Sequence, residues 1–171
     1  MKSNFIRGVI DGALSTLGVV IGASSGDVSI IIAAGTGGTF ANGISNILGA
    51  FTAERAEKYE ELRIIEDAMV QRDLKKSALE DHLKHTTKKA GFVDGAATMV
   101  GGLIPVTPYF FLDPATALMV SIGMVMIVLF GLGAYVGSLS RENLLLSGIR
   151  LAVFGAVTAA LVFALQNLII A

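Results

Sequence analysis

Two aspartates, Asp11 and Asp94, open apolar runs with nearly the same local sequence, GVIDG at 8–12 and GFVDG at 91–95. A charged side chain deep in an apolar helix costs about 2.5–3.5 kcal/mol on insertion scales, so it pairs with a cation or lines a wet path. Carboxylate oxygens are hard ligands that suit Mg²⁺, Mn²⁺ and Fe²⁺, and the same group can carry a proton. Asn42, Ser45 and Asn46 add further oxygens in the second apolar run, and Asn42 and Asn46, four residues apart, share a helix face. Asp11, Asn42, Ser45, Asn46 and Asp94 are therefore the candidate ion pathway. A purely structural alternative exists for each. Arg7, one turn before Asp11 on the same face, is a ready local partner for it. Carboxylates near a helix N-terminus also meet a favourable dipole.

A second constellation lies in the charged middle of the chain. Glu54, Glu57 and Glu61 are spaced i, i+3, i+7 and fall on one helix face, with Glu60 alongside. Asp81, His82 and His85 can gather on another surface. Carboxylates and imidazoles together could hold Fe²⁺, Mn²⁺ or Zn²⁺, which makes Glu54, Glu57, Glu60, Glu61, His82 and His85 candidate metal ligands. Arg55, Lys58 and Arg63 are interleaved with them, a pattern that a solvated, salt-bridged helix also gives. No phosphate-cradling G-x-x-x-x-G-K, H-E-x-x-H or G-x-S-x-G motif is present, so the chain does not read as an enzyme. It has no cysteine, which removes disulfides and thiolate metal sites. A net charge of −1 gives no basic field for nucleic acid. No permanently bound cofactor is expected; a divalent metal would be cargo.

The elements that must position these groups follow from composition. The 171 residues are 53% hydrophobic and only 16% charged, against about 25% charged in soluble domains, which points to the lipid bilayer. About 20 mostly apolar residues are needed to cross it. Five stretches qualify, roughly 5–24, 28–50, 91–111, 115–137 and 147–170. Pro105 and Pro108 are expected to kink the far end of the third, and Pro114 to start the fourth. Residues 51–90 carry nine acidic and nine basic residues and no Pro or Gly; they favour helix. The second span is expected to continue into them as a stalk, with a break near 70–75 and a return helix. The expected fold is an all-α membrane protein with five transmembrane helices and a cytoplasmic helical extension between helices two and three. Its parts are 1–50, 51–90 and 91–171. All thirteen Lys and Arg fall on one side of such a five-span topology. The positive-inside rule then puts the N-terminus and 51–90 in the cytoplasm and the C-terminus outside.

Residues 8–21, GVIDGALSTLGVVI, also align with 91–104, GFVDGAATMVGGLI, and Ser15 faces Thr98 in that alignment. LGAF at 48–51 matches LGAY at 132–135 at nearly the same offset. Spans one and two thus repeat as spans three and four, in parallel, as in transporters built from duplicated bundles.

RGVIDGALSTLGVVIGA at the start, AGFVDGAATMVGGLIPVTPYFF at span three, SGIRLAVFGAVTAALVFALQNLI at the end and the charged segment between spans two and three resemble the vacuolar iron transporter family. The resemblance implies a five-span homodimer that moves ferrous and related divalent ions out of the cytoplasm against protons. It matches Asp11 to the family's pathway aspartate and the glutamate-rich segment to its metal-collecting domain. Two positions depart from the family pattern: Asn46 stands at a methionine position and Ala50 at a glutamate. The expected function is export of Fe²⁺ or Mn²⁺ by proton antiport. The alternatives are a proton-coupled carrier of an organic solute and a non-transporting membrane scaffold.

Overall fold

The computed structural model describes residues 2–68 and 78–170, with the side chains of 54, 62, 66, 68, 78–88 and 170 outside the description. Five helices account for nearly all of these residues: α1 Lys2–Gly22, α2 Val28–Ala68, α3 Ala78–Leu103, α4 Pro114–Ser140 and α5 Leu144–Ile170, with a 3-10 turn at Thr107–Phe110.

The predicted stalk is present as part of α2. Its 41 residues run unbroken from the apolar segment into the charged one, about 61 Å at 1.5 Å per residue. The break expected near 70–75 lies outside the described residues. The return helix is not a separate element, because α3 begins at Ala78 and continues without interruption to Leu103. The prolines end α3 where a kink was expected: Pro105 stands two residues after the last helical residue, Leu103, and Pro108 sits inside the 3-10 turn. A proline lacks the N–H that continues a helix and clashes with the preceding turn.

The start of α4 is as predicted. Pro114 takes the first helical position, and Asp113 caps the helix by accepting from the Thr116 backbone N–H at 3.0 Å. Arg141 ends α4 in the left-handed region at φ 56°, and the next N–H, of Glu142, closes onto the Gly137 carbonyl at 2.9 Å. Asn143 then starts α5 by accepting from the Leu145 N–H at 3.0 Å.

Contacts fix the relative directions. Gly8 faces Asp94 and Ala97, and Gly12 faces Thr98 and Gly102, so α1 and α3 advance together. Gly43 faces Gly95 and Met99 while Gly35 faces Val106, so α2 runs opposite to both. The parallel course of α1 and α3 is what a parallel repeat requires. α4 returns along α1, burying Val125 and Leu129 against Ala13, Leu17 and Ile21. A second apolar cluster, Val20, Ile31, Val106, Tyr109 and Ala117, closes the far end. As a result Lys2, Arg7, the start of the stalk and the α4–α5 turn with Arg141 and Glu142 share one end of the bundle.

Large apolar side chains cover the outside, among them Ile127, Leu145, Phe154, Leu168 and Ile169. Among the described residues, four helices are long and apolar enough to cross a membrane: Lys2–Gly22, Val28–Ile65, Pro114–Ser140 and Leu144–Ile169. α3 does not qualify by the same measure. Its apolar part, residues 90–103, is about 21 Å long and contains Asp94.

Candidate ion site

The site forms because α1 and α3 touch almost backbone to backbone. A Cβ at Gly12 would come within 2.8 Å of the Gly102 nitrogen, and one at Gly8 within 2.8 Å of the Ala97 Cβ. Small residues at four-residue spacing let membrane helices approach in this way. The close crossing brings Asp11 of α1, Thr98 of α3 and the amides of α2 together.

Asp11 is half-buried, and its Oδ2 accepts two hydrogen bonds, from Asn42 Nδ2 at 2.9 Å and from Asn46 Nδ2 at 2.7 Å. Each amide uses its second hydrogen nearby: Asn42 donates to Ser15 Oγ at 2.9 Å and Asn46 to Thr98 Oγ1 at 2.9 Å. Thr98 in turn donates to the Asp94 carbonyl at 2.9 Å, and Ser15 to the Gly12 carbonyl at 3.3 Å. Hydrogen bonds to a charged acceptor are about twice as strong as neutral ones, so the network holds the carboxylate firmly from one side. Among the described residues nothing donates to its other oxygen, Oδ1. Asp11 lines a recess of about 310 Å³ together with Arg7, Asn46, Gly49, Ala50, Ala53 and Asp94. It also lines a groove of about 560 Å³ between α1 and α4 that includes Ser3, Ile6, Leu14, Val136 and Ser140.

About one turn further along the bundle the polar chain continues. Thr39 donates its single hydroxyl hydrogen to the Gly35 carbonyl at 2.7 Å, so in the 2.8 Å contact between Thr16 and Thr39 the donor is Thr16.

Asp94 has a different environment from its repeat counterpart. It is only 2% exposed. Arg7 reaches it across the α1–α3 contact, Nε to Oδ1 at 3.1 Å and Nη2 to Oδ2 at 3.0 Å. The arginine partner expected locally for Asp11 is therefore engaged with the other aspartate.

Of the residues expected from sequence, Asp11, Asn42 and Asn46 come together, and Asp94 lies at the wall of the same recess. Ser45 does not join them. It is exposed on the outer side of α2 and makes none of these hydrogen bonds. Ser15 and Thr98 are additional members, each one turn after an aspartate, and their correspondence in the repeat was the signal for them.

In the stalk, Glu57, Glu60 and Glu61 are exposed. Glu61 is held by Lys58 at 2.9 and 3.0 Å, and the Arg55 guanidinium sits 5.5 Å from the Tyr59 ring centre. The side chains of Glu54, His82 and His85 lie outside the described residues. Among the described residues no three His, Cys, Asp or Glu side chains are grouped closely enough to hold a metal ion.

A sequence model of the VIT family matches residues 60–166. The chain belongs to the VIT family. One relative, the uncharacterized protein MJ0645 of Methanocaldococcus jannaschii, is 46% identical over 165 residues, 95% of this chain and 86% of its own length. A protein named vacuolar iron transporter 1, from Tulipa gesneriana, is 36% identical over 72 residues, 42% of this chain and 29% of the tulip protein. Membership of the VIT family and the apolar helices together make the chain a multi-pass integral membrane protein.

Proposed function

We propose that this VIT-family protein exports a divalent metal ion, Fe²⁺ or Mn²⁺, from the cytoplasm in exchange for protons. It works as a homodimer with the N-terminus and residues 51–90 in the cytoplasm and the C-terminus outside. The ion binds at Asp11, reached from the recess. Asn42 and Asn46 fix the carboxylate, and Glu57, Glu60 and Glu61 raise the local concentration of cations at the cytoplasmic end. No resident cofactor is needed for this, because the metal is the cargo.

The observation that carries the reading is the asymmetry of Asp11. Two amide donors hold one oxygen, no described residue donates to the other, and the residue lines a recess beside the α1–α3 contact. A carboxylate placed in a membrane helix pairs with a cation or lines a wet path, and such residues mark ion pathways. The family name borne by the tulip relative supports a metal as that visitor. The basic residues gathered at one end support the orientation.

The test is Mn²⁺ flux into proteoliposomes with a pH dye inside. Wild-type protein moves Mn²⁺ and drives protons the opposite way. Asp11→Asn brings the flux to that of empty vesicles while the protein still folds, with a cooperative unfolding transition and wild-type elution. The combined Glu57→Gln, Glu60→Gln and Glu61→Gln variant needs more Mn²⁺ for half-maximal flux but keeps the maximal rate. Undiminished flux through Asp11→Asn overturns the reading.

A further inference from the structure

The three charges at the α1–α3 contact form an unequal arrangement. Asp11 and Asp94 occupy equivalent positions of the repeat, yet among the described residues a cationic side chain is bound to only one of them. Asp94 is sealed, with its side chain 3% exposed, while the arginine that binds it is 61% exposed. Both oxygens of Asp94 are used, by Nε and Nη2, in the two-pronged geometry that an arginine fork favours. Arg7 and Asp11 line both the recess and the α1–α4 groove. They lie four residues apart on one helix, the spacing at which opposite charges meet. The helical spacing and the shared recess thus offer Asp11 to Arg7 as well as Asp94.

We propose that Asp94 is a positioning residue that commits the Arg7 guanidinium to α3 and so leaves Asp11 open to an external cation. The inference rests on the carrier reading given above. With the fork on Asp94, the three groups carry a net charge of −1, and that uncompensated charge is on the carboxylate facing the recess. Without Asp94, Arg7 and Asp11 neutralise each other, and an arriving metal ion must first displace a covalently attached competitor. The role differs from that of a staple between α1 and α3. A staple is lost whenever either partner is removed. The positioning role is needed only while the arginine is present.

Flux and thermal unfolding of the full-length protein separate the two roles. Asp94→Asn lowers Mn²⁺ flux at subsaturating Mn²⁺ by about tenfold or more, the factor that 1.4 kcal/mol of competition produces. Arg7→Gln combined with Asp94→Asn lacks the ion pair as well and unfolds at a similarly lowered temperature, but its flux recovers to within about twofold of wild type. A second measurement uses stability alone: Asp11→Asn lowers the unfolding temperature more in the Asp94→Asn background than in wild type, because Arg7 then depends on Asp11. Wild-type flux in Asp94→Asn overturns the proposal, and so does a folded double variant as inactive as the single one. If Asp94→Asn does not fold, the double variant decides: flux supports the proposal, and flux at background overturns it. Wild-type protein that moves no Mn²⁺ overturns the carrier reading instead, and the stability coupling between Asp11 and Asp94 then tests the positioning role separately.

Discussion

Asn46 donates to Asp11 at 2.7 Å and, through the same amide nitrogen, to Thr98 at 2.9 Å, so one side chain of α2 joins the carboxylate of α1 to a hydroxyl of α3. The three helices that surround the candidate site are tied at this one atom.

Replacing Asn46 with Leu removes both bonds and keeps the bulk. Asp11 retains only Asn42, and Thr98 loses its donor. A hydrogen bond to a charged group contributes about 1.5–3 kcal/mol when buried, and the half-buried setting of Asp11 reduces this to about 1–2 kcal/mol. The expected result is an unfolding temperature lowered accordingly, with Mn²⁺ flux reduced at every concentration. An unchanged unfolding temperature would show that the network adds nothing to the bundle.

The α1–α3 crossing leaves no room for a methyl group at Gly12, where a Cβ would meet the Thr98 carbonyl carbon and the Gly102 nitrogen at 2.8 Å. Both neighbours are backbone and cannot rotate away. Gly12→Ala is expected to cost about 1–3 kcal/mol, the range for overpacking a tight interior, and to push Thr98 away from Asn46. Gly123, in the middle of α4, is the opposite case: an added methyl group there would find nothing within 4 Å. Gly123→Ala is therefore neutral or gains up to about 1 kcal/mol from helix propensity. Thermal unfolding of the two variants side by side checks the contrast, and equal effects would refute it.

Asp113 carries a pH dependence with a definite sign. The Thr116 N–H, followed by the Thr116 side chain, holds its carboxyl below the usual carboxylate range. A lowered folded-state value stabilises the fold above the unfolded-state value, about 3.9, and the contribution is lost as pH falls through the lowered one. Asp113→Ala should thus lower the unfolding temperature at pH 7, and the gap to wild type should narrow as pH drops below about 4. Asp113→Asn, also a good cap, should show a smaller difference. A gap for the alanine variant that stays constant down to pH 3 would contradict the assignment.

Much of the fold was legible because its signals are local. The absence of Pro and Gly from 51 to 68 predicts the stalk, and Asp113 followed by Pro114 marks the start of α4. The prolines at 105 and 108 were visible too, but whether they kink or end a helix depends on what the freed carbonyls find. Here the Gly101 carbonyl, which Pro105 cannot serve, takes the Ile104 N–H at 3.3 Å, and Ser121 of α4 donates to the Pro105 carbonyl at 2.6 Å from outside the helix. The candidate site was legible in its members more than in its pairings. The one-turn rule offers Arg7 to Asp11, whereas tertiary packing takes it to Asp94, 87 residues away. Ser45 was attractive by chemistry, but about 100° of rotation per residue turns it away from the face shared by Asn42 and Asn46. The stalk carboxylates remain a pattern of spacing, with Glu61 held by Lys58.

The unbroken course of α2 has a mechanical consequence. The amides that grip Asp11 and the charged stalk belong to one stiff rod, and Ala68, the last described residue of that rod, is about 33 Å from Asn46 along it. A tilt of about 10° about Asn46 sweeps Ala68 by nearly 6 Å, roughly the width of a side chain. Conversely, leverage applied at the stalk is delivered, geared down, to the two amides, so crowding or docking at its exposed Glu57, Glu60 and Glu61 becomes a handle on the grip around a carboxylate they never touch.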